Sequence, residues 1–265
     1  MNRIEQKFAE LKAAKRKALI VFVSAGDPDL ATTEQLVPEL FAAGADIVEI
    51  GIPFSDPMAD GPVIQASYMR ALKKGTSLPG ILAMTKRIRP KCGGGIVFMS
   101  AYNLVFHYGV KEFAQHAAQA GVDGVIIPDI IPEEGDEVVP DLDKYGIATI
   151  MLSAPTSGPD RIRKIAAYTR GFLYYISVTG VTGKQKPSVE SVKKQVRMIK
   201  RQTKLPVAVG FGISSAADAA AMAKVADGVI VGSAAVKVLS EKGTRAETVK
   251  RVCAFVRSLR RAMDA

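Results

Sequence analysis

The chain has 265 residues, 48% hydrophobic and 23% charged, enough apolar material for one large α/β core or two smaller ones and too much for a disordered segment. Its 36 Lys and Arg outnumber 26 Asp and Glu, and the resulting charge of +10 favours anionic partners such as phosphorylated metabolites, acidic proteins or nucleic acid. The cations are scattered, however, and clusters such as Lys15-Arg16-Lys17, Lys193-Lys194 and Arg260-Arg261 lie in amphipathic stretches with few interleaved aromatics, a pattern of solvated helix faces rather than of a nucleic-acid groove.

In chain order, Ile4, Phe8 and Leu11 recur at helical spacing and predict a first helix that packs across the bottom of the fold. Lys15-Arg16-Lys17 followed by Ala18 to Ala25 imitates a secretory leader, but the apolar run has the length of a strand. Short apolar runs then recur: strands are expected at Leu19 to Ser24, Ile47 to Gly51, Gly95 to Ser100, Gly124 to Pro128, Ala148 to Leu152, Phe172 to Ser177, Val207 to Gly210 and Val229 to Gly232. Between them lie helical patterns at Thr32 to Ala43, Val63 to Lys73, Leu78 to Ile88, Val110 to Ala120, Glu133 to Lys144, Pro159 to Ala167, Val189 to Gln202, Ser215 to Ala223 and Ala246 to Met263. Strands apolar on both faces belong to a parallel sheet covered by helices, and about eight of them close a (β/α)8 TIM barrel, here one domain over 1–265 with an additional N-terminal helix. Gly44-Ala-Asp46, Gly121-Val-Asp123 and Ala226-Asp227 each end a helix and lead into a strand. Cys92 and Cys253 are isolated, which argues against a disulfide framework or a zinc site and for the cytoplasm; no stretch reaches the roughly 20 apolar residues of a membrane span.

In a barrel, chemistry gathers where strands end and loops begin. Phe22, Glu49, Tyr102 with Asn103, Asp129 and Tyr174 fall there. Glu49 closes the run Ile47-Val48-Glu49-Ile50, where a carboxylate costs stability unless something offsets its desolvation, and Asp60 follows one loop away. On pattern alone Glu49 reads equally well as one half of a structural ion pair, and Asp60 as a turn cap before Gly61-Pro62. Three late Gly-rich loops, Thr179 to Gly183, Gly210 to Ser214 and Gly232 to Ala234, have the backbone freedom to approach a phosphate. No Gly-x-Gly-x-x-Gly follows the first strand, so a dinucleotide fold is not indicated.

The run from Glu49 to Pro62, Glu-Ile-Gly-Ile-Pro-Phe-Ser-Asp-Pro-Met-Ala-Asp-Gly-Pro, resembles the signature of the tryptophan synthase alpha subunit family. The likeness extends through Phe22, Tyr102-Asn103, Pro128-Asp129, Gly180 to Gly183, Gly210 to Ser214 and Val231 to Ser233. It implies a barrel that cleaves indole-3-glycerol phosphate to indole and glyceraldehyde 3-phosphate without metal or organic cofactor. It also implies an α2β2 heterotetramer with a β subunit that carries pyridoxal phosphate, and neither nucleic acid nor membrane as partner. Carried over residue by residue, it makes Glu49 and Asp60 catalytic and gives Phe22, Tyr102, Asp129 and Tyr174 to the indole pocket. Gly183, Gly210, Phe211, Gly212, Gly232 and Ser233 then hold the phosphate, and Thr182 closes over the site. Two positions depart from the family pattern: Ala101 precedes Tyr102 where many relatives have a second Tyr, and Val178 stands where some have Arg. His107 and His116 are expected on surface helices, His107 toward the β subunit. Rival expectations are another phosphate-binding barrel, a non-catalytic binder of the β protein, and a nucleic-acid binder suggested only by charge.

Overall fold

The computed structural model describes residues 2–57, 60–177, 188–210 and 212–265. Its strands are β1 (Ala18–Ser24), β2 (Ile47–Gly51), β3 (Gly95–Met99), β4 (Gly124–Ile126), β5 (Ala148–Thr149), β6 (Leu152–Ser153), β7 (Leu173–Ile176), β8 (Val207–Gly210) and β9 (Gly228–Val231), all parallel, in the order β5-β4-β3-β2-β1-β9-β8-β7-β6. The two ends of that sheet are one chain segment. β5 pairs with β4 and β6 with β7, and between them the Ile150 N–H donates to Val125 O (2.9 Å) while the Tyr174 N–H donates to Met151 O (3.2 Å). Nine short strands therefore make eight staves of a closed barrel, and the run expected from Ala148 to Leu152 is the stave that turns between its two neighbours.

The helices are α1 (Arg3–Ala13), α2 (Leu30–Ala42), α3 (Pro62–Lys73), α4 (Leu78–Ile88), α5 (Tyr102–Tyr108), α6 (Val110–Ala120), α7 (Val139–Lys144), α8 (Pro159–Tyr168), α9 (Val189–Gln202), α10 (Ala216–Ala223), α11 (Ser233–Leu239) and α12 (Arg245–Asp264). Strand alternation divides the core in two. Ile20, Ile47, Val97, Ile126, Ile150 and Ile230 fill the barrel, while Leu19, Val21, Val48, Ile50, Val125 and Val229 pack outward under the helices. The helix expected from Glu133 to Lys144 is instead a 3₁₀ stretch, Pro132–Glu137, followed by α7. Pro140 explains the break, because inside a longer helix its ring would meet the carbonyl four residues back, whereas near the start of α7 it is tolerated.

As its spacing predicts, α1 lies across the bottom of the barrel. Ile4, Phe8 and Leu11 join the inner core, and the Phe8 ring packs on Phe172 with centroids 5.5 Å apart. The barrel makes room for Ile4 with Gly95, Gly124 and Gly171, where a Cβ would lie 2.8–3.0 Å from the Ile4 side chain. Asn2 caps α1 by accepting the Ile4 N–H (2.9 Å) and anchors it through Nδ2 to the carbonyls of Asp123 (2.6 Å) and Gly146 (2.9 Å).

The aspartates that lead into strands share one geometry. Asp46, Asp123 and Asp227 accept on their carboxylates the N–H of Leu19 (2.8 Å), Ile96 (2.8 Å) and Val207 (2.9 Å), and their own N–H groups donate back to the carbonyls of the same three residues. Each carbonyl then accepts from the start of another strand, at Gly95, Ala148 and Ala18. Cations attend all three: Arg260 on Asp46, Arg3 and Arg89 on Asp123, Lys200 on Asp227. The bottom of the barrel is thus laced by ion pairs, which leaves the opposite end for chemistry.

Candidate active site

At the carboxyl end of the strands, Glu49 stands beside Phe22 of β1 and Val97 of β3 in the parallel register. Ile47 points into the barrel and Val48 and Ile50 point out, so Glu49 points in. It is 1% exposed, and its Oε1 has no hydrogen-bond partner among the described residues. Burial, with no cation beside it among the described residues, pushes its pKa up to about 8. The structural ion pair is therefore not what holds Glu49 here.

Asp60 lies just ahead of α3, and burial pushes its pKa up to about 6. Its carbonyl, rather than its carboxylate, accepts from Gln65 Nε2 (2.8 Å). Two buried tyrosines register both acids. Tyr68 on α3 has its pKa raised by burial, then by Asp60 and Glu49; Tyr174 on β7 by burial, then by Glu49 and Asp60. The two carboxyl groups and two phenols thus share one low-dielectric space, with the acids at different affinities for a proton.

Sequence reasoning did not single out Tyr68. Its place follows from how α3 is fastened: Ser67 hydrogen-bonds Ser24 at the end of β1, and Arg70 grips the buried Asp27 with two bonds of 2.8 and 2.7 Å. Both anchors hold the helix over the barrel mouth. The Tyr68 hydroxyl then comes so close to Gly51 that a Cβ there would lie 2.5 Å from it and 2.4 Å from Phe22 Cζ. Phe22, Tyr68 and Val236 form a small apolar cluster with Val63, Ile64 and Met99 against it, a slot of the right character for an aromatic ligand. The only advance signal was the helical spacing of Ile64, Tyr68 and Ala71.

The other expected residues are placed as follows. Tyr174 points inward, and its hydroxyl would lie 2.4 Å from a Cβ on Gly210. Asp129 caps α5, both carboxylate oxygens accepting the Tyr102 N–H (2.9 and 3.0 Å). The Tyr102 ring packs with the outer core and with Phe106, and its hydroxyl donates to Glu137 (2.9 Å), so its link to the mouth runs through its backbone. Gly210 ends β8, and its carbonyl accepts from the Ser177 hydroxyl (2.8 Å). Gly212 is left-handed at φ 76°. Gly232 and Ser233 open α11, which has no side-chain cap, so its first N–H groups are available to a ligand. A Cβ on Gly232 would lie 3.7 Å from Phe22, which puts that helix start beside the aromatic slot. Thr182, Gly183 and Phe211, like Val178, lie outside the described residues. Among the described residues no group of three or more His, Cys, Asp or Glu is placed to hold a metal.

A family model described as tryptophan synthase alpha chain matches residues 8–264. The chain belongs to the tryptophan synthase alpha chain family. It is similar to the tryptophan synthase alpha chain of Geobacter sulfurreducens, with 52% identity over 263 residues covering 99% of each chain, and to that of Geotalea daltonii, with 52% identity over 89% of this chain and 90% of the other. Among solved structures, tryptophan synthase subunit alpha from Legionella pneumophila superposes with a TM-score of 0.92 at 38% identity over 100% of this chain and 99% of the other. A chain of Mycobacterium tuberculosis tryptophan synthase does so with 0.91 at 36% identity over the same shares. The alpha chain likeness covers barrel, N-terminal helix and mouth together.

Proposed function

We propose that Glu49 and Asp60 divide the work of the family's lyase reaction, the cleavage of indole-3-glycerol phosphate to indole and glyceraldehyde 3-phosphate in tryptophan biosynthesis. The carbon–carbon bond can break only if ring carbon C3 gains a proton and the hydroxyl of the departing aldehyde loses one. Glu49, protonated near neutral pH because it is buried and unpaired, donates to C3. The carboxylate so formed accepts the hydroxyl proton as the bond breaks, and Glu49 ends the cycle protonated. Asp60, with its lower pKa, is ionised at the same pH and accepts the ring N–H, where positive charge develops. Glu49 buried with its Oε1 unpartnered among the described residues, beside a second and less buried acid, Asp60, is the observation that carries this assignment, since burial then holds the proton on Glu49 at a pH where Asp60 has lost its own.

Phe22 and Tyr174, joined by Tyr68, would clasp the indole, and Asp129 would steady the wall that Tyr102 begins. Gly210, Gly212, Gly232 and Ser233 would hold the phosphate on backbone N–H groups, with Gly183 and Phe211 completing the cradle and Thr182 closing it. The proton inventory balances with side chains alone, so no metal or organic cofactor is required in this chain; pyridoxal phosphate belongs to the β subunit, the partner of this family. Phe106, 66% exposed on α5 beside exposed His107, supports an apolar contact with that partner on the mouth side, in an α2β2 assembly in the cytoplasm.

The deciding assay follows indole and glyceraldehyde 3-phosphate from the purified chain with and without a β subunit, for wild type and Glu49→Gln. Turnover should fall by roughly 10² to 10⁴ in the variant with KM little changed, the scale of a lost general acid. Turnover close to wild type would remove Glu49 from the mechanism, and full activity that a β subunit leaves unchanged would make the chain a free-standing lyase.

A further inference from the structure

The basic run Lys15-Arg16-Lys17 does not lie on a solvated helix face. It forms the turn between α1 and β1, and with Lys12, Lys200 and Lys204 it lines a cleft of about 640 Å³ at the bottom of the barrel, below the starts of β1, β9 and β8. The floor is apolar, made of Phe8, Leu11, Leu205 and Pro206. Acids answer only two of the six cations: Arg16 pairs with Asp264 (3.1 Å) and Lys200 with Asp227 (2.6 Å). Lys12, Lys15, Lys17 and Lys204 have no carboxylate at ion-pair distance among the described residues. The cleft continues past Lys12 and Lys204 into a furrow of about 380 Å³ that includes Glu5, whose carboxylate is already engaged with the Asn2 N–H (3.3 Å).

One backbone detail sets this cluster apart from chance crowding. α1 ends with the Arg16 N–H on Leu11 O (2.8 Å) and the Lys15 N–H on Lys12 O (3.1 Å), a termination whose left-handed residue is usually Gly. Here that residue is Lys15, at φ 55°, the sole left-handed non-glycine among the described residues. A side chain with a Cβ is disfavoured in that conformation, so Lys15 costs stability that Gly would not. Where Gly would leave the turn bare, Lys15 adds a cation to the lining of the cleft.

From these residues we infer a second ligand site at the bottom of the barrel, remote from Glu49, for a small organic polyphosphate of the nucleoside triphosphate class. Four uncompensated ammonium groups suit a chain of phosphates, the apolar floor suits a flat heterocycle, and the volume lies within the usual span of small-molecule sites. Duplex nucleic acid would use the charge but not the apolar floor.

Titration calorimetry of the full chain with ATP at about 50 mM salt tests the site. One ATP per chain should bind with a dissociation constant below about 1 mM. Lys15→Gly and Lys204→Ala should each weaken binding about fivefold or more, while Lys86→Ala, an exposed cation on α4, leaves it unchanged. Lys15→Gly should also melt no lower than wild type and release indole at the wild-type rate, so lost binding cannot be lost folding. Inorganic tripolyphosphate should bind more weakly than ATP. The inference is overturned by any of four results: no saturable binding, undiminished binding in both cleft variants, equal affinity for tripolyphosphate, or a DNA duplex that binds the cleft more tightly than ATP.

Discussion

Glu49 shows how a single carboxyl can be costly to the fold and, in the proposed mechanism, useful to the reaction. In the unfolded chain it releases its proton near pH 4.5; folded, it holds the proton until about pH 8. Between those values the folded state binds the extra proton, so stability falls as pH rises, by up to about 1.4 kcal/mol for each pH unit. Asp60 acts in the same direction between its ordinary value and about 6, more weakly because it is partly exposed. Melting temperatures from pH 4 to 9 should therefore show Glu49→Gln gaining on wild type above pH 5 and levelling off past pH 8. A gap that does not change with pH would mean that Glu49 is not held protonated. The proposed mechanism carries the same two groups into activity: kcat/KM should rise through about pH 6 as Asp60 ionises and fall through about pH 8 as Glu49 loses its proton, the limbs belonging to the pair. Gly212 supplies a second residue-scale test. At φ 76° any side chain is strained, so the effect of charge on phosphate binding is read from Gly212→Asp against Gly212→Ala. Ala alone should perturb folding modestly, and Asp should raise KM well beyond it; equal KM values would take Gly212 out of the phosphate cradle.

At the scale of elements, the strand-leading aspartates are joints, and Asp123 is the most heavily used. It is buried, accepts the Ile96 N–H, and binds Arg89 and Arg3 at 2.9 Å each. Asp123→Ala should cost about 3 kcal/mol in denaturant melts, because Arg89, itself largely buried, loses its counter-charge and a strand N–H loses its acceptor. A cost below about 1 kcal/mol would show that the lacing is ornamental to stability. Such joints were legible in the sequence because helix end, Asp and strand start are adjacent there, and the spacing of apolar runs likewise marked all eight staves. α5 and α11 were not legible. Ala101 and Gly232 give them no side-chain cap, and α5 is capped by Asp129, 27 residues away in the chain. Glu49 and Asp60 stood out as acids in apolar company, but Tyr68 did not: a helix pattern shows that its face is buried, and only the Ser24 and Asp27 anchors decide that it is buried over the mouth.

For the whole molecule, the two ends of the barrel answer to different demands. The lower end is closed by α1 and filled where Gly95, Gly124 and Gly171 leave room, with Ile4 fully buried at the centre of contact. Over the barrel mouth the upper end keeps a carboxyl unpaired among the described residues and uncapped N–H groups, which lower stability and gain value toward a ligand in the proposed function. The inner residues Ile20, Ile47, Val97, Ile126, Ile150 and Ile230 separate the two ends as a packed plug. A close-packed plug can pass strain along, but the side chains of the site are fixed from above by β1, β2 and α3, which hold them against a small volume change below. Ile4→Ala should accordingly cost about 2–4 kcal/mol, the usual range for emptying a site that cannot collapse, because three glycines around it have no side chains to move in. Below the melting transition its kcat and KM should match wild type. If turnover instead falls in step with stability while the variant remains folded, the lower end positions Glu49 through the plug, and the separation of stability from chemistry along this barrel does not hold.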